Sequence, residues 1–107
     1  MKKSMKVDFL VADERACELG AELLKVVAHP VRLRLLALLV DNEYSVGQLA
    51  EKLHLEPAIV SQHLRLLRMR EVVAARREGV SVLYRLGEEK LRTVLECLDQ
   101  CLHERLA

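Results

Sequence analysis

At 107 residues the chain makes one small domain, and with 51% hydrophobic but only 3% aromatic residues its core has to be built from Leu, Val and Ala. A chain of this size buries a modest fraction of its surface, so an oligomer interface that enlarges the core is expected. The net charge of +1 argues against a non-specific polyanion binder. The chain lacks an apolar run of about 18 residues, and its start, MKKSMKVDFLVADE, lacks a long hydrophobic region and a small-residue cleavage site. The expectation is a cytoplasmic protein whose three cysteines rest as reduced thiols.

Residues 1–9 read as a flexible tail. Residues 12–28 carry Ala16, Leu19, Leu23, Leu24 and Val27 at helical spacing, with Asp13 and Glu14 where the dipole of a helix N-terminus favours acids. His29-Pro30 opens a core helix running to about Val40. Leu33, Leu36, Leu39 and Val40 are expected inward, Arg32 and Arg34 outward, and His29 as a capping or loop residue. Asp41-Asn42-Glu43 is a polar turn.

The next start signal is written in side chains: Ser45 as N-cap, Gln48 as its capping-box partner, and Tyr44 set to staple against Leu49. Val46, Leu49, Ala50 and Leu53 form one apolar stripe, and His54-Leu55-Glu56-Pro57 ends the helix, because the residue before a proline is pushed out of helical geometry. Proline then suits the first position of a second helix over 57–69. There Ile59, Val60, Leu64, Leu66 and Leu67 are expected inward, and Ala58, Ser61, Gln62, Arg65 and Arg68 outward. The outer set suits base edges: Gln pairs bidentately with adenine, Arg with guanine, Ser adapts to either, and Ala meets a thymine methyl. His63 reads either as a half-buried packing residue with a hydrogen bond or as a phosphate contact.

Two β-prone runs, 72–75 and 80–86, are joined through Arg76-Arg77-Glu78-Gly79, with Gly79 able to take the positive φ of a hairpin turn. A hairpin tipped by Arg76 and Arg77 beside an Arg-rich helix face is placed to touch phosphates. The charge is concentrated there: residues 61–80 hold five Arg against two Glu, and the remainder twelve basic against fourteen acidic residues. After Gly87 and Glu88, a last helix over 88–106 carries Leu91, Val94, Leu95, Leu98 and Leu102 as a seam that suits another helix.

HPVRLRLLALL at 29–39, Ser61-Gln62-His63-Leu64, and Arg77-Glu78-Gly79 followed by Tyr84-Arg85-Leu86 together resemble the ArsR/SmtB family of winged helix-turn-helix repressors, over residues 20–102. The resemblance implies a mainly α single domain of about five helices with a small β-hairpin. Residues 45–69 would be the helix-turn-helix, 72–86 the wing, and 12–28 with 88–106 the dimerisation helices. It also implies a homodimer on a near-palindromic double-stranded DNA operator, contacted through Ala58, Ser61, Gln62, His63, Arg65, Arg68, Arg76 and Arg77. Glu71 departs from the glycine many members carry after the recognition helix. A non-glycine residue in left-handed geometry there costs on the order of 1 kcal/mol, so either the turn differs or the strain is absorbed.

Members of this family release DNA on binding a metal or metalloid or on oxidation. The Cys-x-Cys pair of one family site is missing from Ser45-Val46-Gly47-Gln48-Leu49-Ala50, and a zinc site across paired last helices is not intact, since Lys90 stands beside Glu88, Cys101 and Glu104 at the matching places. What remains is Cys97 and Cys101, four apart on the last helix, with Cys17 on the first. Three thiolates suit arsenite or antimonite, adding His103 or Glu104 suits zinc, and the same thiols are open to oxidation or persulfidation. The alternative is a winged-helix repressor with structural cysteines and a different effector or none, Cys101 being a small hydrophobe at the edge of the seam. No Cys-x-x-Cys, phosphate loop or nucleophile with a base at motif spacing points to an enzyme. The outward arginines speak against a winged helix used only for protein contacts.

Overall fold

The structure, a computed structural model, describes residues 6–107. Its elements run α1 Asp8–Ala12, α2 Glu14–Val27, α3 Pro30–Leu39, α4 Val46–Leu53, α5 Pro57–Met69, β1 Val73–Glu78, β2 Ser81–Leu86 and α6 Glu89–Leu106. The architecture is the expected one, mainly helical with a single antiparallel hairpin.

The N-terminal region differs from the expected tail and single helix. Asp8–Ala12 is a short helix of its own, and Asp13, in extended geometry, splits it from α2 and caps α2 by accepting the Ala16 N–H at 2.9 Å. A side-chain acceptor there satisfies one of the four N–H groups that every helix start leaves unpaired. Residues 1–5 of the expected tail lie outside the described residues.

The core is aliphatic, as the composition requires: Leu35, Leu36, Leu49, Val60, Leu64, Leu67 and Val73 are fully buried, joined by Leu39, Ala50, Leu53, Val72 and Leu95. Truncating one of the fully buried leucines to Ala removes about 2–5 kcal/mol in comparable sites. Adjacent Leu35 and Leu36 are both inside because α3 is covered by α4, α5 and β2 together, so more than one of its sides faces protein. Leu33, expected inward, is accordingly only half-buried. On α5 the buried stripe is narrower than expected, with Val60, Leu64 and Leu67 inside, whereas Ile59 and Leu66 stay exposed at 42% and 44%.

Both halves of the α4 capping box form: Gln48 N–H donates to Ser45 Oγ at 3.2 Å and Ser45 N–H to Gln48 Oε1 at 2.9 Å. The C-terminal ends of α4 and α5 close in the same way. Leu55 N–H reaches back to the Ala50 carbonyl and Val72 N–H to the Leu67 carbonyl, both at 2.9 Å, with His54 (φ 57°) and Glu71 (φ 62°) in left-handed geometry at the corners. At Glu71 the left-handed turn is kept, so of the two alternatives, a different turn or an absorbed strain, the second holds. His54 is a second such residue, unsignalled because the proline at 57 suffices to place the break.

The wing pairs in the register Val73↔Leu86, Ala75↔Tyr84, Arg77↔Val82 on one face and Ala74↔Arg85, Arg76↔Leu83, Glu78↔Ser81 on the other. The turn is centred on Gly79 and Val80, with Gly79 at φ +64°. Arg76 and Arg77 therefore lie within β1, where their polar run predicts a turn, since Glu78 still pairs with Ser81. Tyr44 extends the hairpin by a two-way backbone bridge to Tyr84, at 3.2 and 2.8 Å, tying the wing to the start of α4.

Gly87 leaves the wing against the end of α5: its N–H donates to the Val72 carbonyl at 2.8 Å, and a Cβ at this position would overlap the Glu71 carbonyl oxygen and press on two further backbone carbons. Backbone atoms cannot rotate away as a side chain does. Gly87→Ala should lower folding stability by about 1–3 kcal/mol, read as a lower urea midpoint at unchanged m-value. Retention of the parent midpoint would mean that the backbone of this junction yields to a Cβ without cost.

Candidate nucleic-acid interface

Burial of Val60, Leu64 and Leu67 at spacings of four and three sets the rotation of α5, so Ala58, Ser61, Gln62, Arg65 and Arg68 are all exposed on the outward side. Ser61, Arg65, Arg68 and Met69 line a groove whose other wall is Tyr84 of the wing. Because Tyr84 shares its hairpin face with Arg77, the register puts Arg77 on the side of this groove and Arg76 on the opposite face.

The two wing arginines thus have different surroundings. Arg76 is held by Glu43 at 2.8 Å, with its Nε donating to the same carboxylate at 2.9 Å, and by Glu78 at 3.5 Å. Hydrogen bonding to Glu43 and its charge, with Glu78 behind them, raise the Arg76 pKa. Arg77 is exposed, with no ion pair among the described residues. Sequence spacing could not separate the pair, since Glu43 lies 33 residues from Arg76.

His63, grouped with the DNA-contacting residues by resemblance, is half-buried and turned to α3. Its Nδ1 accepts the Nε–H of Arg32 at 3.1 Å, and its ring lies 4.6 Å from that of His29 at an interplanar angle of 49°. This is the packing and hydrogen-bonding alternative for the residue. His29 is the N-cap of α3, its Nδ1 accepting the Val31 N–H at 3.1 Å. Arg32 corrects the expectation of an outward arginine: it is half-buried, bridging His63 and the Val26 carbonyl, the latter at 2.9 Å. Helical periodicity alone gives no sign of a bond spanning 31 residues.

None of the cysteines lines this groove. All three are exposed in the protomer, Cys97 and Cys101 one turn apart on α6 and Cys17 on α2, where its thiol donates to the Leu10 carbonyl at 2.8 Å. Among the described residues, no three His, Cys, Asp or Glu side chains of one protomer are grouped to hold a metal ion. His103 and Glu104 are exposed near the end of α6. The apolar residues Leu19, Leu23 and Leu24 of α2 and Val94, Leu98, Leu102 and Leu106 of α6 are exposed as well.

Residues 29–74, the span from the α3 cap to the first strand, match the model described as "Bacterial regulatory protein, arsR family". The chain is 43% identical over 86 residues to the biofilm growth-associated repressor of Agrobacterium fabrum, covering 80% of this chain and 73% of that protein. The chain belongs to the arsR family. This arsR-family member is also similar to solved structures of HlyU from Vibrio cholerae (TM-score 0.78, 36% identity, 83% of this chain and 97% of that one) and of the transcriptional repressor BigR from Xylella fastidiosa (TM-score 0.79, 34% identity, 91% and 96%). As an arsR-family protein it is a DNA-binding transcription regulator with a winged helix-turn-helix, and not an enzyme. Among the described residues, no helix is long and apolar enough to cross a membrane.

Burial, then the charges of His29 and Arg32, hold His63 below the ordinary histidine value of 6.5. A base whose folded pKa is depressed binds protons more readily when unfolded, so its contribution is present above 6.5 and is lost as pH falls through the lower folded value. Thermal midpoints should therefore drop from about pH 7.5 to about pH 5, and His63→Gln should remove part of that drop. Parallel midpoint curves for the two proteins would contradict this placement of His63.

Proposed function

We propose that the protein is a cytoplasmic homodimeric transcriptional repressor that binds a near-palindromic operator, with α5 of each protomer entering successive major grooves about one helical turn apart. The observation that carries this reading is the outward row Ser61, Gln62, Arg65 and Arg68, on a helix whose rotation is fixed by buried aliphatic side chains and whose groove is shared with the wing. Gln62, Ser61 and Arg65 read bases, Ala58 packs on a thymine methyl, and Arg68 with Arg77 neutralises phosphate. Arg76 contributes less than Arg77, because Glu43 already satisfies it. The uncovered leucines of α2 and α6 supply the apolar surface for pairing with a second copy.

For the signal that releases DNA, we infer thiol chemistry at Cys17, Cys97 and Cys101. One helical turn between Cys97 and Cys101 lets both sulfurs reach one centre, and Cys17 lies on the other helix of the uncovered surface. A three-thiolate centre for arsenite, antimonite or zinc needs both protomers, since one protomer gathers no such group among its described residues. Oxidation by a peroxide, which is reduced to water as two thiols join in a disulfide, or transfer of sulfane sulfur from a persulfide donor, needs in addition only the reach of one sulfur to another. A ligand that prefers the non-binding arrangement by about 1–3 kcal/mol is a sufficient switch.

The DNA face is tested by fluorescence-anisotropy titration of a duplex that the protein itself selects from a randomised library. Gln62→Ala should cost about 1–3 kcal/mol on that duplex and narrow its margin over an unrelated one. Arg77→Ala should weaken both duplexes alike and reduce the salt slope by about 1. Unchanged affinities in both variants would refute the assignment of this face.

The switch is tested by repeating the titration after arsenite, zinc, hydrogen peroxide or a persulfide donor, beside a Cys97→Ser/Cys101→Ser variant. One agent should release DNA from the parent and leave the variant bound. If none does, the cysteines are not the sensor.

A further inference from the structure

Arg32 is a polar side chain that joins three helices at once. Its own Cα lies in the first turn of α3, its Nη1 donates to the Val26 carbonyl near the end of α2 at 2.9 Å, and its Nε donates to Nδ1 of His63 in the middle of α5 at 3.1 Å. A planar guanidinium offers fixed, divergent donors, so a single side chain sets two directions together.

The geometry points to Arg32 as a positioning residue that, through a neutral His63, holds the recognition helix against the end of the α2 helix and so fixes the angle at which Ser61, Gln62 and Arg65 meet DNA. This rests on the reading of α5 as the base-reading helix. Ser61, Gln62 and Arg65 flank His63 on the same two turns, so any tilt of α5 at His63 displaces them directly.

The bond is available in one protonation state. Nδ1 of His63 accepts from Arg32, which requires its lone pair and places the ring proton on Nε2. A second proton, on Nδ1, would remove the acceptor and set an imidazolium against a guanidinium, with the His29 ring 4.6 Å away. Of the groups on elements packed against α5, His29 and Arg32 from the α3 side act on His63. Glu22 of α2 is engaged with Arg70 at the far end of α5, Lys25 of α2 is exposed, Glu51 and Lys52 of α4 are exposed, and the charged residues of β1 sit toward the hairpin turn. Among the described residues, protonation of the site therefore meets no carboxylate that would offset it.

The predicted consequence is a loss of sequence discrimination, rather than of general DNA affinity, in mild acid. The measure is the ratio of affinities for the library-selected duplex and an unrelated duplex of equal length, by fluorescence anisotropy from about pH 8 to about pH 5.5. A ratio cancels the general gain in phosphate attraction that acid gives any histidine-bearing protein.

In the parent the ratio should fall about tenfold over that range, a loss the size of one mismatched base pair. In His63→Gln, whose amide oxygen accepts from Arg32 without titrating, the ratio should be flat with pH, whatever its level at about pH 8. In Arg32→Lys, whose ammonium lacks the divergent fork, the ratio should already be reduced at about pH 8, with affinity for the unrelated duplex within about twofold of the parent.

A pH-independent ratio in the parent, or an equal pH slope in His63→Gln, overturns the proposal. Should Arg32→Lys fail to fold by circular dichroism, the comparison of the parent with His63→Gln decides alone. If the parent selects no duplex from the library, the reading of α5 fails first and the inference falls with it.

Discussion

The rotation of α5 about its own axis is set by Val60, Leu64 and Leu67, which are buried completely between α3, α4 and β1. A helix with one narrow apolar stripe has one stable rotation, because turning it by a single residue would swing a buried leucine into water and a guanidinium into the core. Everything that faces outward from α5 inherits its direction from that constraint. Desolvation is costly enough that short, adaptable side chains such as Ser61 and Gln62 are held in place by residues they never touch.

Around this helix the chain uses local backbone devices at both ends. Proline starts α5, and a left-handed corner at Glu71 ends it, matched by a similar corner at His54 that ends α4. Each corner replaces a glycine-compatible conformation with a side chain that carries charge or hydrogen-bonding capacity, at a strain on the order of 1 kcal/mol. The aliphatic core around Leu35, Leu36, Leu49, Leu64 and Leu67 is large enough to hold such strain. Gly87 then permits the wing to return within contact of the corner at Glu71.

Much of this is legible in the sequence because it depends on neighbours in the chain. The capping box at Ser45 and Gln48, the proline at 57, Gly79 in the turn and His29 as a capping or loop residue are all local events spanning a few residues, and each stands in the structure, His29 as the N-cap of α3. The differences fall where distant elements decide. Periodicity points Arg32 outward, but α5 supplies a partner in His63; hydrophobicity points Ile59 and Leu66 inward, but no element covers them in the protomer. Arg76, Arg77 and Glu78 have the composition of a loop, while their pairing to the residues of Ser81–Leu86 makes them strand and moves the turn on to Gly79 and Val80. The helix α1 is hidden for a related reason: its separation from α2 depends on Asp13 serving as a cap, a choice that competes with simply continuing the helix.

The hairpin carries a consequence for how such a wing changes length. In a two-stranded ribbon each added residue turns all later side chains to the other face, so the face shared by Tyr84 and Arg77 is defined by parity. Lengthening β1 and β2 by two residues each leaves every outward side chain outward. Inserting one residue between Ala75 and Arg76 moves Arg76 to the groove face and Arg77 to the opposite face, at the place Glu78 now holds. This ribbon therefore keeps its two faces when lengthened by even steps, while an odd step demands a bulge or a rearranged charge pattern beside Glu43.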